Sequence, residues 1–199
     1  MAVTLNASTS TGYIQTADTS GDLALQSNGT TQFTVSSTGA YGQLKSGTAV
    51  ASTSGTSIDF TSIPSWVKRI TVMFQGVSLS GTSNYLVQIG SGSVTSSGYV
   101  SASATIQGTG NTLLTSSAGF GVRNPQAAGA TVSGIMTITL ISGTTYVASH
   151  ALGDLSQTSV VTGGGTSPSL SGTLDRVRIT TVNGTDTFDA GSINILYEG

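Results

Sequence analysis

Few residues in this chain could carry out a reaction. It has a single histidine, His150, no cysteine, and eight carboxylates: Asp18, Asp22, Asp59, Asp154, Asp175, Asp186, Asp189 and Glu198. A histidine base needs a nucleophile and an orienting carboxylate around it. No spacing in the sequence assembles such a set at His150, which closes a strand-like run and reads as a surface or rim residue. Two carboxylates could flank a glycosidic bond, but no pair is forced together by spacing. Asp189 already reads as the partner of Arg178 across a hairpin. Asp186-x-x-Asp189 falls short of the several convergent oxygens that calcium takes, and one histidine without cysteine disfavours zinc. Gly163-Gly164-Gly165 lacks the lysine and the opening helix of a phosphate loop and reads as a flexible loop tip. The glycan-acceptor pattern occurs at Asn6, Asn28 and Asn183, the last two within turn signals. No catalytic residue, cofactor or metal is assigned, and a non-enzymatic role is expected.

Binding is the better prospect. Gly/Ser/Thr/Asn stretches at residues 78–84, 90–98, 107–118, 123–131 and 154–173 read as loops, and loops on a rigid β scaffold are common recognition surfaces. Tyr85, Tyr99 and Tyr146, with Trp66, offer flat apolar faces for sugar rings. Asn84, Asn111, Arg123 and Asn124 offer hydrogen bonds. These are the candidate receptor-binding residues. The competing reading for Tyr85 and Tyr99 is that they lie on strands and simply pack.

The elements that must position these residues are strands. After Pro64 and Trp66, Ile70, Val72 and Phe74 point one way while Arg69, Thr71 and Met73 point the other. That period of two marks a strand with one face on a core. Pro64 belongs at its entrance, because inside a ladder it would remove a donor. Trp66 then falls at the rim. Further strands are expected near 57–60, 85–89, 99–106, 119–122, 132–141, 145–150, 160–161, 174–182, 185–190 and 192–197. Their spacing of about 8–12 residues with Gly/Ser turns is that of a sandwich or barrel. No stretch shows a 3.6-residue period with caps. The expected fold is all-β: an N-terminal β-hairpin arm over 1–46, then an antiparallel, jelly-roll-like β-sandwich head over 47–199.

Two hairpins are predicted in detail. An Asn183-Gly184 turn sets Ile179 against Phe188 and Arg178 against Asp189, with a bulge near Gly191 restoring the parity of Ile193, Ile195 and Tyr197. In the arm, a three-residue loop at Asn28-Gly29-Thr30 sets Leu25 against Phe33 and Leu23 against Val35. So small an apolar set cannot stand alone in water. Leu23, Leu25, Phe33 and Val35 are therefore candidate oligomer or docking contacts, with an edge extension of the head as the alternative.

Composition bounds the rest. The chain has 199 residues, of which 7% are charged, 37% hydrophobic and 6% aromatic, and a formal net charge of −2. An ordinary globular domain is about 25% charged. The abundance of Val, Ile and Thr argues for a compact β protein with small, uncharged surfaces rather than disorder. No basic stripe exists to neutralise phosphates, so nucleic acid is not an expected partner. No apolar run approaches the ~20 residues of a membrane span. Met1-Ala2-Val3-Thr4-Leu5 lacks the features of a signal peptide, which predicts folding in the compartment of synthesis.

Two stretches carry a family resemblance. Gly21-Asp22-Leu23-Ala24-Leu25-Gln26-Ser27-Asn28-Gly29-Thr30-Thr31 resembles the strand repeat in shafts of tailed-bacteriophage fibre proteins. Residues 58–72, with Ile63-Pro64-Ser65-Trp66-Val67-Lys68-Arg69-Ile70 the most specific part, together with Asp175-Arg176-Val177-Arg178-Ile179-Thr180-Thr181 and the segment from Phe188 to Glu198, resemble the C-terminal head module of such proteins. The resemblance implies a homotrimeric virion protein, assembled in the bacterial host cytoplasm and acting at the particle surface. The expected role is a tail fibre or spike tip that binds host surface polysaccharide, with residues 1–46 contacting other virion proteins. The alternative is a capsid decoration or head-fibre protein that docks on capsomers through the same arm.

Overall fold

The computed structural model describes residues 44–108, 110–123, 127–154 and 156–199, and the backbone of 23–27 and 30–35. The chain divides into two compact units, Met1–Gly42 and Gln43–Gly199. In the first, β1 (Leu23–Ser27) pairs antiparallel with β2 (Thr30–Val35). The register is the expected one, with Leu25 opposite Phe33 and Leu23 opposite Val35. The means differ from the expectation. Thr30 pairs with Ser27, and the slip after Leu25 leaves Gln32 as the extra residue. A bulge, not a third loop residue, restores the parity. The use of Leu23, Leu25, Phe33 and Val35 as an oligomer contact rests on side chains outside the described set.

The second unit begins with β3 (Leu44–Ser46) and β4 (Val50–Ala51), both paired to the last strand of the chain. Residues 44–46 thus run with the head, and the division falls at 42/43. There follow β5 (Ile58–Thr61), β6 (Arg69–Leu79), β7 (Tyr85–Ser91), β8 (Ser93–Val94), β9 (Val100–Gln107) and β10 (Gly110–Ser116). The chain continues with β11 (Phe120–Gly121), β12 (Val132–Ser142), β13 (Thr145–Asp154), β14 (Ser159–Thr166), β15 (Arg176–Thr181) and β16 (Phe188–Glu198). Among the described residues these form two antiparallel sheets. The larger runs β10-β9-β14-β13-β12-β6-β16-β3, with β4 also on β16. The smaller runs β11-β7-β15-β5, with β8 on β7. The protein is all-β, and one core lies between the sheets. Its definite feature is this strand order; the jelly-roll winding expected for it would divide eight strands into two Greek keys.

The period-two strand sits where its pattern demands. β6 lies between β12 and β16, with Ile70, Val72 and Phe74 buried in one core cluster together with Val87, Ile179 and Val177 of the other layer. Trp66 stands in the turn before β6, half-buried against the core, and the Val67 amide closes that turn on the Pro64 carbonyl at 3.1 Å. Toward its other end β6 is irregular together with both neighbours: register slips occur at Val132/Gly134 and around Ala190. Bulges on adjacent strands bend the sheet locally. They also explain how Phe188, Ile193, Ile195 and Tyr197 all face inward, as expected from a bulge near Gly191.

The predicted C-terminal hairpin does not form. β15 belongs to the small sheet, between β7 and β5, whereas β16 belongs to the large one. Arg178 is paired with Asp59 on β5 instead of Asp189, and Asp189 bonds to the Ser78 hydroxyl. Asn183-Gly184 is still a turn: the Asn183 Oδ1 accepts from the Thr185 and Asp186 amides at 3.0 and 3.1 Å. It carries the chain from one layer to the other. Each strand has two edges, and those of β15 are filled by β5 and β7. Two expected loops are likewise strands. Residues 110–116 are β10, and Gly163-Gly164-Gly165 lie within β14, where a Cβ would come within 2.5, 2.6 and 2.5 Å of the Ala102, Ala148 and Val100 carbonyl oxygens. Close strand approach, not flexibility, calls for glycine there.

Gly191 makes the bend testable. Its φ is +89°, and a Cβ would lie 2.4 Å from both the Gln75 and Gly76 carbonyl oxygens. Gly191→Ala is expected to destabilise the head by more than the ~1–3 kcal/mol of a strained φ alone. Gly108→Ala, with nothing within 4 Å, should leave the urea midpoint nearly unchanged.

Candidate functional site

The groups able to do chemistry are occupied structurally. His150 lies on the inner face of β13, 5% exposed, so the expected rim position is corrected to a core one. Alternation along β13 turns it inward with Tyr146, Ala148 and Leu152. Its Nε2 lies 3.1 Å from the Val122 carbonyl oxygen, and burial pushes its pKa down to about 4. It is neutral at pH 7, with Nε2–H as the donor to that carbonyl. Asp154 is fully buried and forms an ion pair with buried Arg123, while its Oδ1 accepts from the Ser156 hydroxyl and the Gln157 amide. Asp59 takes Arg178 in a two-point contact of 2.6 and 3.2 Å. Arg176, Asn183 and Arg69 bond to Asp175, Asp186 and Glu198 and hold those carboxyls below their ordinary values. A glycosidase acid needs the opposite shift. Among the described residues no group of three or more His, Asp or Glu side chains is placed to hold a metal ion.

The receptor candidates separate on inspection. Tyr85, Tyr99, Tyr146 and Arg123 are buried, and their assignment as receptor contacts is corrected. Tyr85 and Tyr146 are inward-facing strand residues and Tyr99 stands just before β9; their hydroxyls meet backbone, Tyr85 donating to the Val77 carbonyl at 3.0 Å and Tyr99 accepting from the Ile89 amide at 2.9 Å. Tyr99 also meets Phe120 edge-on at 5.1 Å, and burial pushes its hydroxyl up to about 12. Arg123 is held by Asp154. Asn84 is half-buried just before β7 in the small sheet, and Asn111 is exposed on β10 at the border of the large one. Asn124 lies outside the described residues.

The surface with a chemistry of its own is the outer face of the large sheet. Ile135, Ala151, Thr162, Ala104 and Leu113 are direct cross-strand neighbours in one row over five strands. The next rows are Thr137, Ser149, Gly164, Ala102, Thr115 and Ser133, Gly153, Val160, Ile106, Asn111. A fourth holds Thr139, Val147, Thr166 and Val100. None of these residues is charged, and the first charges met are Arg69 and Glu198, where the fourth row continues beyond Thr139 onto β6 and β16. Of the large hydrophobics that stand exposed, Val100, Ile106, Leu113, Ile135, Ile141 and Val160 are on this part of the face, Leu44 is at its far edge on β3, and Val50 and Val182 are elsewhere. Val100 and Leu113 are 76% and 75% exposed. A shallow hollow of about 640 Å³ opens between β9, β10 and β14, lined by Val100, Ala102, Thr115 and Gly164. Two smaller hollows flank Thr162 and Gly163. Charge borders this region: the Arg69–Glu198 pair lies on the same outer face over β6 and β16, and Asp59–Arg178 and Asp175–Arg176 are on the small sheet.

The sequence carried a signal for this face that loop-based reasoning passed over. Outward positions of the strands near 99–106 and 132–141 are uncharged throughout, where half-exposed strands ordinarily alternate apolar with polar or charged. What could not be seen was that these strands lie side by side.

Fold and face together define an antiparallel β-sandwich whose larger sheet presents an uncharged outer face over five of its strands. No protein-family model, curated protein or solved structure matches the chain.

The buried histidine sets an acid limb. The unfolded chain takes up a proton near His150's ordinary value of 6.5, the folded one only near 4. The neutral form's contribution is complete above pH 6.5 and is lost as pH falls toward 4, about 3 kcal/mol over that interval. Urea midpoints at pH 7.5 and 4.5 should show this loss, and His150→Gln, which can still donate to Val122, should reduce it.

Proposed function

We propose that this chain is a non-enzymatic structural protein of a virion of the tailed-bacteriophage type, a trimeric fibre or spike tip working by contact at the host surface. The observation that carries the reading is the charge-free sheet face, together with its exposed Val100, Ile106, Leu113, Ile135 and Val160. Large contiguous apolar patches on soluble proteins mark interaction sites. The described carboxylates support the same reading, since each is tied to an arginine, an asparagine turn or a hydroxyl. The resemblance of residues 21–31, 58–72, 175–181 and 188–198 to fibre shaft and head sequences supplies the class of particle.

With the tyrosines in the core, host glycan contact falls to surface loops and to Asn84 and Asn111, and weak single sites would gain by avidity across linked copies. A capsid decoration protein docking through its arm is the second reading, favoured by the separation of residues 1–42 as a unit of their own. Copy number on the particle separates the two, hundreds for the head and a few trimers for the tail.

Purified full-length protein is expected to have the mass of three chains by light scattering. It is expected to bind host cells or their polysaccharide without releasing reducing ends. A monomer at high concentration, or accumulation of reducing ends, would overturn the proposal.

A further inference from the structure

We infer that the charge-free face of the large sheet is a self-interface, on which the head packs against other copies of this chain. The inference rests on the contact reading above and names the partner of that face.

Charge is the first argument. Burying an unpaired charge is costly, so a face without charge selects a partner surface without charge. The small sheet's outer face bears Asp59, Arg178, Asp175 and Arg176 and is no complement. The same face on another copy is. Size is the second. The uncharged rows continue from Ile135 to Met73 and Asn194, and from Thr137 to Thr71 and Leu196, so they cross seven strands. At about 4.8 Å between strands and two residues between rows, the four rows cover roughly 20 by 20 Å over five strands, and two of them extend about 10 Å further over β6 and β16, where the Arg69–Glu198 pair borders them. Such a patch is close to the ~800 Å² of accessible surface per partner in a standard interface.

Relief is the third argument, and it suggests how copies meet. Leu113 and Val100, on the β9–β10 side, are large and the most exposed, while Ser149, Ala151 and Gly164 toward the centre have small side chains or none. Seating the large-residue side of one copy against the small-residue centre of the next is a head-to-tail contact. Repeated about a threefold axis, such a contact closes on itself.

The absence of cysteine makes the test clean. In the full chain, Leu113→Cys and Ala151→Cys are introduced together. The two positions lie on β10 and β13, three strand spacings or about 14 Å apart, too far for a disulfide within one chain. Mild oxidation is expected to give a non-reducing ladder ending at three copies. Before oxidation both thiols should react with maleimide at least tenfold more slowly than Thr61→Cys on the small sheet, with circular dichroism confirming the β fold of each variant. No ladder, with labelling as fast as at Thr61→Cys, would overturn the inference. If that result came with a trimeric mass, only this self-interface would fall; with a monomeric mass, the contact reading would fall with it.

Discussion

The structure depends on one strand being buried on its inner side and flanked on both edges. β6 presents Ile70, Val72 and Phe74 to the small sheet and is paired to β12 and β16 along most of its length. Burial of three large side chains on one strand, each contributing about 1.5–3 kcal/mol relative to exposure, makes this the natural organising contact of a lean core. The neighbours take their inward sets from it: Met136 and Ile138 on one side, Ile193 and Ile195 on the other. A slip of one residue in either ladder would turn those sets outward.

Away from β6 the interior is held differently. Where β9, β14 and β13 meet β11, the inward positions are Ser101, Ser103, Thr105, His150 and Asp154 among Phe120, Val122 and Val161. Small hydroxyls and three successive glycines let these strands and the His150 ring come close; Ser101 is met by the Gly121 amide, His150 Nε2 by Val122 and Asp154 by Arg123, whereas Ser103 Oγ, Ser159 Oγ, His150 Nδ1 and Arg123 Nε have no hydrogen-bond partner among the described residues. A buried pair of this kind is weak evidence for stability but penalises any arrangement that leaves one member alone. The outward positions that alternate with them are small as well, among them Ala102, Ala104, Ser149, Ala151, Thr162 and Gly164. One compositional choice thus shapes both sides of the sheet, a close-packed polar interior and an exterior suited to contact with another uncharged surface.

Much of this was legible in the residues themselves. Period-two alternation located the strands around Ile70, Leu86, Ser103, Ile138 and Ile195, and the arm register followed from matching Leu25 to Phe33. The tyrosines were the clearest failure at the site. An aromatic on a strand has equal chemistry whether it points at solvent or core, and Tyr85 and Tyr99 point inward. The Gly163-Gly164-Gly165 run failed for a related reason, since glycine serves a loop and a crowded strand equally well.

By itself the sequence determined the class of structure, the inward side of β6, β15 and β16, the turn at Asn183-Gly184 and the scarcity of charge. These are local properties, fixed by backbone sterics and by the period of side-chain direction. Only the tertiary structure decided which strands are neighbours. The pairing of residues 176–181 with 187–190 satisfied both faces on paper, yet Arg178 found Asp59 and the two strands went to opposite layers. Alternation specifies which face a strand buries and says nothing about who occupies its edges. That choice is made by competition among all strands for a limited set of edges, and it assembled the uncharged face from five segments scattered between residues 100 and 166.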